Sequence, residues 1–199
     1  MDARYLNATT ILPTQETVCG RTLFPMCIRH RVVLEAIGSP FIKQKFDNIT
    51  PYDIVIACRI MSTYDMTKMV GKLSFRETIE VLMMKYNKKR LVDNIVKVFG
   101  VIKVSCSYPK IWEKKDNNKS PDVGVPWPLT TVANLCRNGI DAETAWTMPE
   151  CQAVWMCVAN AVYNGSKIDV LTTDEEENLK NFHDTVNKYK NKQKEKQNV

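Results

Sequence analysis

Ser74-Phe75-Arg76-Glu77-Thr78-Ile79-Glu80-Val81-Leu82-Met83-Met84-Lys85-Tyr86 decides the fold class. A hydroxyl at Ser74 and a carboxylate at Glu77 have the reciprocal spacing in which each side chain satisfies the other's backbone N–H at a helix start. Ile79, Leu82, Met83 and Tyr86 then recur at intervals of three and four, which puts them on one helical face. The same signals recur along the chain and predict a mostly helical, all-α fold: one compact multi-helix domain.

Upstream, Thr50-Pro51-Tyr52-Asp53 offers a hydroxyl cap, a proline at the first helical position and an acid at the third, ahead of Ile54, Val55, Ala57, Cys58 and Met61. Thr22-Leu23-Phe24-Pro25 reads as the start of an earlier helix that runs to Ile37 and stops at Gly38-Ser39-Pro40. Downstream, residues 96–104 are β-branched enough to be either helix or strand. Residues 105–128 hold four prolines and a charged run, the signature of a loop. Pro126-Trp127-Pro128 leads into a helix over 129–137, Asp141 starts a short helix, and Pro149-Glu150 opens one through Tyr163 that is apolar almost all round and reads as a central buried helix. Thr173-Asp174-Glu175-Glu176 marks a last helix start, with acids where the helix dipole favours them. Leu179, Phe182, Val186 and Tyr189 then form a narrow helix-docking stripe. The resulting organisation is an irregular lead-in over 1–20, a basic helical region over 21–104, a loop or linker over 105–128, an acidic helical region over 129–187 and a Lys-rich tail over 188–199.

The chain has 199 residues, 44% hydrophobic and 25% charged, a composition that excludes a disordered or fibrous protein. No apolar run approaches the roughly 20 residues a bilayer span needs, so no membrane partner is expected. The first residues lack the basic and apolar regions of a secretory signal. Seven cysteines without a repeating spacing predict free thiols in a reducing compartment, here the cytoplasm. The net charge of +6 conceals a dipole: residues 1–120 carry 20 basic and 11 acidic side chains, 121–187 carry 3 and 10, and 188–199 carry 5 and 1.

Residue types that perform chemistry are sparse. His30 lies three residues from Cys27, a spacing that allows a thiol–imidazole pair on one helical face, although a helix-surface histidine is the plainer reading. No close Cys pair supports zinc, and no Gly-rich loop supports nucleotide phosphates; no catalytic residue, metal or cofactor is expected. Residues 129–155 have the outline of a helix-turn-helix, but the helix that would read DNA, from Asp141, is acidic and would repel phosphate.

Three stretches resemble the small helical tail assembly chaperones of tailed bacteriophages. They are Thr22-Leu23-Phe24-Pro25 through His30-Arg31-Val32-Val33-Leu34 to Ser39-Pro40-Phe41, the Asp-started helix from Asp53 to Ser62, and the block from Asp141 through Trp146, Met148 and Pro149 to Gly165. The loop over 105–128 and the Lys-rich end depart from that pattern. The resemblance implies a viral, non-enzymatic protein that coats the long hydrophobic helix of a tape measure protein in the cytoplasm of a bacterial host. A variant of this reading is a structural component of the virion tail or neck. The residues themselves suit such a role: Trp127, Trp146, Met148 and Trp155 are aromatic and thioether side chains of the kind that grip an amphipathic partner helix, or that pack a core. A homo-oligomer through the Leu179 stripe is compatible with it. The alternative is a regulatory or packaging protein that binds nucleic acid through the basic first region.

Overall fold

The computed structural model describes residues 4, 6, 16–43, 48–111 and 124–197, except the side chains of Thr173, His183 and 188–197. It is 67% helical, a mostly α compact domain with ten helices and two short two-stranded sheets as the elements defined among the described residues. A hairpin of β1 (Thr17–Val18) and β2 (Arg21–Thr22) leads into α1 (Ile28–Ala36), α2 (Pro40–Lys43), α3 (Pro51–Met61), α4 (Met66–Met69), α5 (Phe75–Tyr86) and α6 (Lys88–Ser105). The second half runs through β3 (Lys110–Ile111), α7 (Trp127–Arg137), α8 (Ala142–Thr147), α9 (Glu150–Tyr163), β4 (Val170–Leu171), which pairs antiparallel with β3, and α10 (Thr173–Gln197).

Where local chemistry specifies a helix start, the helix starts there. Thr50 caps α3 with Asp53 in return, Ser74 caps α5 with Glu77 in return, and Asp141 caps α8. Three expectations are corrected, and one left open, residues 96–104, is decided. The first helix begins at Ile28, not near Pro25, because Cys27 is its cap: His30 N–H points at the Cys27 sulfur, and the His30 ring answers the Cys27 N–H. Residues 96–104 are helical, part of α6, which turns Val98, Val101 and Ile102 to the core at helical spacing, with Asn94 buried on the same face. The irregular lead-in contains the β1–β2 hairpin, and its remaining residues lie outside those described apart from Arg4, Leu6 and Glu16. The last helix is capped one residue earlier than Thr173, by Thr172, whose hydroxyl and N–H bond the Glu175 carboxylate.

The central helix is α3 rather than α9. Residues 54–61 are all buried, Arg59 included, because α1, α4, α5 and α6 pack around it. Their apolar side chains form the larger core, with Leu34, Phe41, Ile54, Ile60, Met61, Met84 and Val98 at its heart. In α9 only Glu150, Cys151 and Ala153 are buried; it rests on α7 and leaves Val162 and Tyr163 exposed. Ile28, Val132, Leu135, Ala145 and Ala153 make the smaller core, to which Trp146, Met148 and Met156 add half-buried cover.

Helix α1 belongs to both cores, Ile28 to the smaller and Val33 and Leu34 to the larger. Backbone bonds reinforce the seam: Glu150 N–H donates to the Met26 carbonyl at 2.9 Å, and Met26 N–H donates to Ser105 Oγ at 2.8 Å. The sequence dipole is partly spent at the same seam. Arg29 forks onto Glu143 at 2.7 and 2.6 Å, and Arg31 Nε meets Glu150 at 2.6 Å.

Candidate docking groove along the first helix

The run Val32-Val33-Leu34 puts three consecutive apolar side chains on a short helix, and 100° per residue prevents all three from facing one core. Val33 and Leu34 turn inward, and Val32 stays at the surface. Beside it, Ile37 closes α1 at 49% exposure, Tyr52 opens α3 at 52%, and Met66 and Val70 flank α4 at 51% and 64%. These side chains edge two adjoining hollows. One, of about 280 Å³, lies between α1, α3 and α4 and is lined by Val33, Ile37, Tyr52, Ile56, Met69 and Val70. The other, of about 250 Å³, is lined by Arg29, Val32, Val33, Met66 and Trp146. Val33 is common to both, so the two hollows adjoin along α1 as a largely apolar groove, with Trp146 of α8 at one end and Asp53 and Arg59 in the lining of the other.

Polar groups around the groove are tied in pairs. Asp53 caps Thr50, and Asp65 caps Thr67 and pairs with Lys68 at 3.1 Å. Arg59 grips Glu77 through Nε at 2.8 Å and Nη2 at 2.5 Å and donates to the carbonyls of Gly71 and Lys72. Arg21 also reaches Glu77, at 3.1 Å. The forked Arg59 guanidinium, with the Ser74 N–H and hydroxyl bound, holds the Glu77 carboxyl down to about 2.

Cys27 and His30, spaced as a thiol–imidazole pair, are not set up as one. Burial raises the Cys27 thiol to about 11 and depresses His30 to about 4, opposite to the thiolate–imidazolium arrangement of a nucleophilic pair. His30 is a buried ring rather than a helix-surface one: Nε2 lies 2.9 Å from the Thr63 carbonyl, and the ring stacks on Tyr64 at 5.4 Å. Among the described residues no group of three or more His, Cys, Asp or Glu is placed to hold a metal ion, and no helix is long and apolar enough to cross a membrane. The acidic helix of the helix-turn-helix outline is engaged too, since Glu143 is bound to Arg29.

The four residues expected to contact a partner do not converge. Trp146 lines the groove. Met148 packs half-buried in the smaller core. Trp155 donates its indole N–H to the Ser107 carbonyl at 3.1 Å. Trp127, 40% exposed, lies under the Arg31 guanidinium at 5.4 Å. In the stripe of α10, Leu179 and Val186 are half-buried, Phe182 is 66% exposed, and the Tyr189 side chain lies outside those described. Of the groove residues that sequence reading missed, Ile37, Tyr52, Met66 and Val70 sit at or beside helix ends, and Val32 sits mid-way along α1. Their one legible signal was an excess of apolar residues over what a short helix can bury.

Comparison of the chain with family models, curated proteins and solved structures gives no match.

Proposed function

We propose that this chain is a non-enzymatic assembly protein that holds an amphipathic partner helix in the groove along α1, in the manner of a phage tail assembly chaperone. The tape measure protein is then the partner and the cytoplasm of the bacterial host the place of action. The observation that carries this reading is the groove itself: two adjoining, largely apolar hollows edged by exposed Val32, Ile37, Tyr52, Met66 and Val70, with Arg29 and Arg59 in their lining already paired to Glu143 and Glu77. Each such side chain that a partner covers contributes on the order of 1 kcal/mol, whereas solvent screens an exposed ion pair such as Arg29 with Glu143. Apolar contact therefore dominates, and binding tolerates salt.

Co-expression with the tape measure protein, followed by purification in about 0.5 M salt, where screening lengths are only a few Å, tests this. The parent should retain the partner, and a folded Met66→Ser, Val70→Ser double variant should lose most of it. Retention of nucleic acid alone, lost steeply as salt rises, would favour the basic-surface alternative. Persistence of the chain in finished particles would place it instead among structural components of the tail or neck.

A further inference from the structure

The β1–β2 hairpin turns through Cys19 and Gly20, with Val18 opposite Arg21 and φ of +50° and +66° at the two turn residues. Two-residue hairpins with positive φ at both positions favour Asn, Asp or Gly, whose side chains tolerate or support that backbone. Cys19 is the one non-glycine residue with positive φ among those described. A thiol kept where turn chemistry disfavours it directs attention to what the thiol does.

The Cys19 side chain is half-buried between two environments. Behind it is Cys58, wholly buried in the middle of α3 within the core against which Cys19 packs, and Asn94 Nδ2 approaches the Cys19 sulfur at 3.9 Å. In front is an open cleft of about 370 Å³, lined by Lys89, Arg90 and Lys97 against the single acid Asp93. Arg90 is steadied at the cleft by Glu80 at 2.7 Å. The Cys58 hydrogen bond, with Arg90 and Arg21 nearby, lowers the Cys19 thiol below its ordinary value, and the same contact with burial raises Cys58. The two thiols thus differ in position: Cys19 faces the mouth of a cationic cleft, and Cys58 lies wholly buried behind it.

We propose that Cys19 and Cys58 form a thiol–disulfide exchange site for small anionic disulfides such as oxidised glutathione, with Cys19 attacking and Cys58 resolving. The Cys19 thiolate attacks one sulfur of the disulfide, forms a mixed disulfide and expels one glutathione thiolate. Cys58 then gives its proton to the released thiolate, attacks the Cys19 sulfur and expels the second glutathione. The protein dithiol is oxidised by two electrons, and the small disulfide is reduced to two thiols. The carboxylates of glutathione meet Lys89 and Lys97 in the cleft, which is why an anionic disulfide is favoured over a neutral one.

The test is intact mass and peptide mapping of the folded full chain incubated with oxidised glutathione. The parent should lose two hydrogens and yield a peptide joining Cys19 to Cys58, with Cys19 consumed roughly tenfold faster than Cys136 or Cys157. Cys58→Ser should stop at the mixed disulfide and gain one glutathione at Cys19; should it not fold, the parent's peptide map still decides. Lys89→Gln with Lys97→Gln should slow the reaction with oxidised glutathione several-fold and leave that with neutral hydroxyethyl disulfide unchanged. Cys19→Asn should fold with equal or higher thermal stability, since Asn suits the turn. Cys19 reacting no faster than Cys136 and Cys157, a mixed disulfide that the parent never resolves, or equal slowing with both disulfides would overturn the proposal.

Discussion

Arg31 Nε lies 2.6 Å from the Glu150 carboxylate, 17% of the Arg31 side chain and 1% of the Glu150 side chain being exposed. This contact joins the basic and acidic parts of the sequence where the two cores meet. The Tyr108 hydroxyl donates to the same carboxylate oxygen, and Arg31 also reaches Tyr108 at 3.1 Å and Glu35 at 3.3 Å. Removing one partner of a buried pair strands the other charge, which costs about 3 to 5 kcal/mol. Arg31→Ala should lower the urea midpoint accordingly and separate the unfolding of the two cores, read as non-coincident tryptophan fluorescence and helicity transitions. A loss below 1 kcal/mol with a single coincident transition would show that the seam does not depend on this pair.

His30 should govern the first stage of acid destabilisation. Its ring is neutral in the fold because burial disfavours the charged form and the Arg29 guanidinium adds to that, the Thr63 carbonyl at 2.9 Å offsetting only part of it. The unfolded chain takes up this proton near the ordinary value of 6.5, whereas the folded chain resists until about 4. The unfolded state therefore binds more protons between those values, and stability falls as pH drops through that window, by roughly 3 kcal/mol in full. His30→Gln should flatten this limb in chemical denaturation at stepped pH. A parent whose stability is constant from pH 6.5 to 4 would contradict the assignment.

Glu77 should govern the second stage. Its carboxyl sits at about 2 instead of the ordinary 4.5, so its contribution is complete above 4.5 and is lost as pH falls toward 2. The expected loss over that window is about 3 kcal/mol. Glu77→Gln should carry that loss already at neutral pH and show little further dependence below 4.5 attributable to this site. A neutral-pH cost under 1 kcal/mol would mean that Arg59 finds sufficient partners in the Gly71 and Lys72 carbonyls alone.

Helix starts were legible in the sequence because a cap is a local event. Thr50 with Asp53 and Ser74 with Glu77 need only three residues of chain to find each other. Cys27 was not legible, since a thiol is a weak acceptor and Pro25 supplies a stronger conventional signal just before it. The burial of α9 was misread because apolar composition states what a helix can bury, not whether neighbours arrive to cover it; α3, of similar composition, received neighbours on every side. The groove was largely illegible for the same reason. Its walls come from α1, α3, α4 and α8, and only Trp146 was singled out from residue type. Cys19 and Cys58 were invisible as a pair, since nothing in their separation suggests that a hairpin turn lies over the central helix.

The stripe of α10 needs a covering surface, since an isolated helix of this length is marginal in water. Phe182→Ser with Val186→Ser should lower the melting temperature if the stripe rests on its own chain, or reduce the mass seen by light scattering if it rests on a second copy. No change in either would show the stripe to be idle.

Site-specific photo-crosslinking during co-expression with the tape measure protein tests the docking account most directly. A photo-reactive phenylalanine analogue replaces Met66 in the groove or, as a control, Tyr163, which is 91% exposed on α9. The account predicts that the Met66 position crosslinks to apolar positions spaced three and four residues apart in the tape measure chain, in about 0.5 M salt as in dilute buffer, and that the Tyr163 position crosslinks weakly and without pattern. Equal labelling from both positions, or no adduct from position 66 in a folded protein, would contradict it.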